Sequence, residues 1–236
     1  MSRIHRSLVV TADDFGMCDA TNEGVALAHV AGIVTATSLM VRRAAAAAAA
    51  ALTVDLPRLA VGLHLDLGEW EFRNDEWVQA DFVVDVDDPV AVRDEIDRQL
   101  GAFVRLTGRT PTHLDGHQHV HLSEPARSIV LETGDALCIP VRHRDANYVG
   151  GFYGQTGTGE ARPEWITPAA LIAVLGSLSE GASELGCHPG RRMESTLSTY
   201  AGERDTELAA LCDPDVRACI EQLGIELRAP CARQAL

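Results

Sequence analysis

Short apolar runs that alternate with helix-forming segments are the sequence feature that most restricts the fold of this chain. The first run, SLVVTA at residues 7–12, is typical of a strand that is buried on both faces. The predicted strands are residues 7–12, 33–41, 59–65, 112–117, 137–142, 182–187 and 225–227. Strands that alternate with helices favour a parallel sheet. We therefore predict an α/β fold, an irregular (β/α) barrel with about seven parallel strands.

The segments between the predicted strands have helical character. The predicted helices are residues 22–31, 43–52, 89–106, 125–132, 167–178, 206–211 and 214–223. Residues 44–51 are all alanine, the residue with the highest helix propensity. The remaining long stretches are predicted to be irregular: an acidic segment at residues 66–88 and a glycine-rich loop at residues 149–159.

The composition is that of a globular protein and excludes several classes of function. With 46% hydrophobic residues in 236, the chain can bury a large core, and we expect one domain over residues 1–236. The formal net charge of -14 repels nucleic-acid phosphates and anionic lipids, so we expect neither partner. All 20 basic residues are arginine, which excludes mechanisms that use a Schiff-base lysine.

The cysteines and the N-terminal segment favour a cytoplasmic protein. The six cysteines are widely spaced without a CxxC pair, which favours reduced thiols. The apolar run at residues 8–12 is too short for a signal-peptide core. No stretch approaches the roughly 18 apolar residues of a membrane span. We therefore expect a cytoplasmic location and no membrane partner.

Acidic and imidazole side chains stand at the C-terminal ends of the predicted strands. These residues, together with one arginine, are Asp13, Asp14, His64, Asp66, Asp115, His117, Arg142 and His188. In a (β/α) barrel these ends converge on one face, so we expect one shared site. Asp14, His64 and His117 are candidate ligands that would leave open positions on a divalent metal for water and substrate. Asp13 is a candidate base that is not itself a ligand.

Each of these signals has a structural alternative. A lone histidine such as His64 is often a hydrogen-bonded structural residue, and paired aspartates are often helix caps or turns. In the histidine-rich segment at residues 113–121, an extended backbone would place His117, His119 and His121 on one face. A loop would send only His117 inward, and a solvated histidine-rich loop is a third interpretation. The DFG tripeptide at residues 14–16 is no kinase motif, because no glycine-rich loop precedes it and the chain has no lysine to pair with phosphates.

A set of ordered motifs extends from the first predicted strand to the last helices. They are TADDFG at residues 11–16, GIVTATSLMV at 32–41, GLHL at 62–65, PTHLDGHQHVH at 111–121, FYG at 152–154 and CHPG at 187–190, followed by Tyr200 and Glu207-Leu208. In this order they resemble the YdjC family of carbohydrate deacetylases. The resemblance covers nearly the whole chain.

The resemblance implies an activity and roles for several residues. It implies a barrel with fewer than eight strands and one divalent metal ion at Asp14, His64 and His117. The family is commonly assigned magnesium, whereas two imidazole ligands suit zinc or another transition ion, so both metals stay open. Asp13 matches the base of the family, and His188 is the candidate for protonating the leaving amine. We therefore predict a metal-dependent hydrolase that removes the N-acetyl group from an N-acetylated sugar or oligosaccharide and releases acetate.

Further residues are predicted to bind substrate or to support the metal ligands. They are Asp115, His119, His121, Arg142 and Tyr153. Trp70, Phe72 and Trp77 are candidate sugar-stacking residues, and the basic segment at residues 142–144 is a candidate site for an anionic or phosphorylated group.

Two other functions and two oligomeric states stay open at this point. The alternatives are a metal-dependent hydrolase of another amide or ester, and a catalytically silent sugar-binding barrel. Retention of both Asp13 and Asp14 argues against the silent barrel, because binding alone needs no base beside a metal. Barrels of this kind are often homodimers, but no apolar stripe in the sequence marks an interface.

Overall fold

A computed structural model describes residues 5–192 and 198–231. The strands in these ranges are β1 Arg6–Phe15, β2 Ala36–Leu39, β3 Ala60–Leu65, β4 Gly68–Arg73, β5 Glu76–Phe82, β6 Leu114–Gly116, β7 Asn147–Val149, β8 Gly181–Cys187 and β9 Ile225–Leu227. The α-helices are α1 Asp19–Val30, α2 Ala46–Leu52, α3 Pro89–Thr107, α4 Ala126–Leu137, α5 Pro168–Gly176, α6 Glu203–Leu211 and α7 Pro214–Leu223. Pro163–Ile166 forms a short 3-10 helix, and His117–Leu122 consists of tight turns with a kink at Gln118 and His119.

The main sheet is parallel and curls into a half-barrel. Its strand order is β6-β3-β2-β1-β8-β7, and β9 also pairs with β1. All its strand pairs in the described residues are parallel. The N-terminal part of β1 pairs with β9, and its C-terminal part with β2. The predicted α/β fold, an irregular barrel with about seven parallel strands, is confirmed.

The predicted strand at residues 137–142 is wrong, and β7, which pairs with β8 at the opposite edge of the sheet from β6, was not predicted. Helix α4 extends to Leu137 and ends at Cys138, which has a left-handed φ of 55°. Pro140 has no N–H for a ladder, and only Val141 forms an isolated parallel bridge, with Leu114. Ile139 and Val141 are nevertheless buried. The apolar pattern therefore marked burial correctly but not strand pairing.

Residues 66–88 contain a hairpin that the sequence interpretation missed. Strands β4 and β5 pair in antiparallel fashion and are joined by Asn74 and Asp75. Both turn residues have positive φ angles, 53° and 64°. Asparagine and aspartate tolerate this conformation, and tight two-residue hairpin turns require it. The signal was present in the sequence, but the high charge of the segment obscured it.

The core lies between the sheet and the helices that surround it. Strand β1 contributes Leu8 and Val10, and α3 contributes Ile96 and Phe103, all fully buried. In the described part of the chain, no helix combines the length and apolarity needed to cross a bilayer. The expectation of one domain over residues 1–236 stays a prediction, since residues 1–4, 193–197 and 232–236 lie outside the described ranges.

Candidate active site

A bulge at the C-terminal end of β1 presents two consecutive carboxylates. Ala12 pairs with Thr37 and Phe15 with Leu39, so Asp13 and Asp14 together face a single residue of β2. Asp14 has a φ of 64°, in the left-handed region that aspartate tolerates. Bulges of this type redirect side chains near active sites. Both carboxylates are buried and line the same cavity instead of alternating between the two faces of the sheet.

The three predicted metal ligands lie together at the strand ends. Asp14 Oδ1 is 3.4 Å from His64 Nε2 and 3.2 Å from His117 Nδ1. Ligand atoms bound at about 2.1 Å in a tetrahedron are about 3.4 Å apart, so the spacing fits one cation. One carboxylate oxygen and two imidazole nitrogens suit zinc or another transition ion better than magnesium, which prefers oxygen ligands.

Neighbouring side chains fix the orientation of these groups. His64 Nδ1 is 2.8 Å from Asp115 Oδ1, and the Ser38 hydroxyl donates to Asp115 Oδ2 at 2.6 Å. This bond directs His64 Nε2 towards Asp14, as carboxylates commonly do for metal-binding histidines. Arg204 donates to Asp14 Oδ2 at 2.6 Å, which leaves Oδ1 directed at the two imidazoles. The residues present therefore fit a divalent metal ion.

Next to the three candidate metal ligands lies a second cluster of possible ligands, and the guanidinium of Arg142 already supplies a positive charge there. Asp13, His64 and Asp115 also bring their donor atoms close together. However, the Arg142 guanidinium lies 2.7 Å from Asp13 Oδ2 and 2.8 Å from Asp115 Oδ2. Its Nε also donates to Glu184 at 2.9 Å. A metal at this second group would have to displace the guanidinium, so the Asp14 group is the better metal site.

The buried charges strongly perturb the ionisation of these groups. Burial alone would raise the pKa of Asp13, but the Arg142 guanidinium outweighs it and holds that pKa below its ordinary value. Burial likewise opposes ionisation of Asp115, yet Arg142 and His64 depress its pKa. Burial would lower the pKa of His64, whereas Asp115 and Asp14 raise it to about 10. The same negative field would attract a metal ion to His64 Nε2.

His188 lies near Asp13, with Nε2 3.9 Å from Asp13 Oδ2. Glu207 holds this part of the chain: it accepts from the backbone N–H of His188 at 2.5 Å and from the Tyr200 hydroxyl. His188 Nδ1 is 3.8 Å from Glu207 Oε1. Burial lowers the pKa of His188, but Glu207 outweighs burial and raises it. Tyr153 packs on the His188 ring at 5.3 Å between centroids.

A cavity of about 650 Å³ opens over these groups. Asp13, Asp14, His64, His117 and His188 line it, as do His119 and Tyr153 from the predicted substrate-binding set. The other members of that set, Asp115, His121 and Arg142, are buried and are not part of its lining. Arg142 bonds to three carboxylates, so it is not available for the anionic group suggested by its sequence context.

The histidine-rich segment turns between its histidines as in the loop alternative, but His119 lines the cavity together with His117. Gln118 and His119 have positive φ angles, 49° and 57°, which turn the chain between the histidines. His117 therefore joins Asp14 and His64, whereas His119 and His121 pack with His143 and Tyr148. The extended arrangement with three histidines on one face is not observed.

Several residues of the site carried no role in the sequence interpretation. They are Ser38, Glu184, Arg204 and Glu207. Arg204 and Glu207 are three residues apart on one face of α6, and both are almost completely buried. A charged pair with this spacing on an inward helix face was the available signal. The hydrogen-bond partners of Ser38 and Glu184 are distant in the sequence, so no local sequence pattern indicates these contacts.

The fold and the site together define a class of protein: a parallel α/β half-barrel with a candidate metal site at the C-terminal edge of its sheet. The model of the YdjC-like protein family matches residues 7–222, and the chain belongs to this family. This finding confirms the resemblance that the motifs indicated. The assignment of roles to individual site residues stays a prediction.

Relatives of known name span nearly the whole chain. The chain is 30% identical to a chitooligosaccharide deacetylase of Serratia marcescens, covering 95% of this chain and 98% of that protein. It is 32% identical to a chitooligosaccharide deacetylase of Klebsiella pneumoniae, with the same coverage. It is 30% identical to a human carbohydrate deacetylase, covering 96% of this chain and 91% of that protein.

Solved structures share the fold at lower identity. A crystal structure from Enterococcus faecalis V583, described as a candidate cellobiose-phosphate cleavage protein, has a TM-score of 0.76 and 23% identity, covering 94% of this chain and 97% of that chain. A family 4 carbohydrate esterase from Streptomyces lividans in complex with acetate has a TM-score of 0.56 and 13% identity, covering 97% and 98%. At sequence identities of 23% and 13%, these similarities show that the fold is shared and nothing more.

Proposed function

We propose that this protein is a metal-dependent carbohydrate deacetylase that hydrolyses the N-acetyl group of an N-acetylated sugar, releasing acetate and an amino sugar. One observation supports the proposal above all: Asp14, His64 and His117 converge in the cavity, with Asp13 and His188 beside them. Names of relatives at about 30% identity over most of their length supply the substrate class.

Asp14, His64 and His117 would hold the metal ion. When bound, such an ion supplies Lewis acidity, which polarises a carbonyl oxygen and makes a water more acidic. Asp115 and Arg204 keep two of these ligands in place through His64 Nδ1 and Asp14 Oδ2. A catalytically silent sugar-binding barrel would not need this support of the ligands together with a second carboxylate, Asp13, that lies beside them in the cavity without being a ligand.

Asp13 and His188 would move the protons. Asp13 takes a proton from the attacking water, whose oxygen forms the new bond to the acetyl carbon. Arg142 donates hydrogen bonds to both oxygens of Asp13, at 2.7 and 2.8 Å, and so holds the carboxylate in one orientation at the cavity. As the carbon–nitrogen bond breaks, His188 donates a proton to the departing nitrogen. Glu207 holds His188 in place for this step.

The test combines metal analysis with acetate release. Protein stripped by a chelator is reloaded with zinc, magnesium, manganese or cobalt and assayed on N-acetylglucosamine, short chitooligosaccharides, and an O-acetyl ester. We expect metal-dependent acetate release from the N-acetyl sugars. Asp13→Asn should keep the metal and lose turnover, whereas His64→Ala should lose both. Acetate release only from the ester would replace this function by ester hydrolysis, and full activity of Asp13→Asn would overturn the base assignment.

A further inference from the structure

The β4–β5 hairpin carries an aromatic face at the edge of the cavity. Trp70 and Phe72 are two residues apart on β4, and Phe72 is paired in register with Trp77 on β5. The three side chains therefore share one face of the hairpin. Phe72 and Trp77 meet edge to face at 5.7 Å between ring centroids. All three line the cavity, and Trp77 is 57% exposed.

The hairpin is tied to the loop that carries a predicted metal ligand. Gln118, which directly follows His117, accepts from the Trp70 N–H and donates to the Trp70 carbonyl, both at 2.8 Å. This side-chain amide imitates the two hydrogen bonds of a neighbouring strand. At the base of the hairpin, Arg43 lies 2.9 Å from Asp66 and 3.3 Å from Glu69. The aromatic face is thereby held at a fixed place relative to the metal site.

The charge of the lining indicates which sugars fit. Among described residues, the lining contains one arginine, Arg204, which is paired with Asp14. The hairpin adds Glu69 and Glu71, which are paired with Arg43 and Arg73. A phosphate or carboxylate group on the sugar would thus find no unpaired guanidinium among these residues. An uncharged sugar needs no such partner, and its C–H faces suit aromatic rings.

We propose that the hairpin forms a second sugar subsite, in which Trp77 and Phe72 pack against the ring next to the N-acetyl sugar held at Asp14, His64 and His117. Trp77 and Phe72 would then determine the preference of this site for a second, uncharged ring over a single ring or a phosphorylated one. This inference rests on the proposed function, since it places the reacting ring at the metal site.

The experiment compares Trp77→Ala with Trp165→Ala. Trp165 is 43% exposed and lies outside the cavity lining, so it is the matched control. Acetate release is measured on N-acetylglucosamine and on its β-1,4-linked dimer and trimer. Trp77→Ala should lower the ratio of kcat/KM for dimer to that for monomer by about tenfold, mainly through KM. Trp77→Phe should restore most of this ratio, and Trp165→Ala should leave it unchanged.

Two further measurements separate the outcomes. A 6-phosphorylated dimer should react at least tenfold less efficiently than the neutral dimer, and a preference for the phosphorylated form would overturn the charge argument. An unchanged dimer-to-monomer ratio in Trp77→Ala would overturn the subsite.

Binding of the trimer is measured by calorimetry in the same variants. If the wild-type protein releases no acetate but Trp77→Ala weakens trimer binding, the proposed function fails and the subsite stands.

Discussion

Acid should destabilise this protein through His121, which is buried with both ring nitrogens lacking a hydrogen-bond partner in the described part of the chain. Burial lowers its pKa to about 3. Arg142, His119 and His143 lower it further, against an opposing effect of Asp115. In the unfolded chain the pKa of histidine is about 6.5. The unfolded state therefore binds this proton more tightly, and the contribution of His121 to stability falls as the pH drops below about 6.5.

The size of the effect follows from the difference between the two pKa values. Each pH unit below the unfolded pKa costs about 1.4 kcal/mol, so the change from pH 7 to pH 5 costs about 2 kcal/mol. The site aspartates do not contribute in this range. The pKa values of Asp13, Asp14 and Asp115 are all depressed, so these groups stay ionised in both states above about pH 5.

The assay is urea unfolding of chelator-treated protein at pH 7 and pH 5. His121→Phe keeps a ring of similar size but removes the titration, and any packing cost is the same at both pH values. This variant should lose about 2 kcal/mol less unfolding free energy between the two pH values than the wild type. His5→Gln, which changes an exposed histidine, is the control and should behave as wild type. Equal losses in His121→Phe and wild type would refute the reasoning.

Three other predictions concern the site. Asp115→Asn removes the carboxylate that orients His64, and its affinity for zinc in competition with a chromogenic chelator should fall about 10- to 100-fold; unchanged affinity would contradict the support role. Glu207→Gln should lower kcat at least about tenfold at unchanged metal content, since His188 loses its anchor, and a wild-type kcat would exclude that role. Zinc at 100 times its dissociation constant should raise the unfolding free energy by about 2.7 kcal/mol in wild type and not in His64→Ala.

Much of the fold could be predicted because burial leaves a local trace in the sequence. Strands buried on both faces are short, apolar and β-branched, as at residues 7–12, and the positions of most strands followed from this. Residues 137–142 show the limit: Ile139 and Val141 are buried like strand residues, but Cys138 and Pro140 prevent a ladder. Which edge of a sheet is filled depends on distant segments and has no local signature.

The convergence of the candidate metal ligands could be predicted for a different reason. Asp14, His64 and His117 each lie at or directly after the C-terminal end of a strand, and parallel strands bring their ends together whatever the details of packing. The partners of these groups were harder to find. Arg204 reaches Asp14 across 190 positions in sequence, and nothing near Arg204 distinguishes it from a surface arginine except its spacing to Glu207.

The bulge in β1 has a consequence for how precisely the two acids can be held. Asp13 and Asp14 are adjacent in the chain, so only one peptide unit separates them. This short connection limits how far the proposed base, Asp13, can move relative to the proposed ligand, Asp14. When the sheet fluctuates, both carboxylates are carried along as one body, whereas His117 and His188 come from separate loops. Errors in alignment should therefore accumulate at His117 and His188, and the two acids provide the fixed reference point.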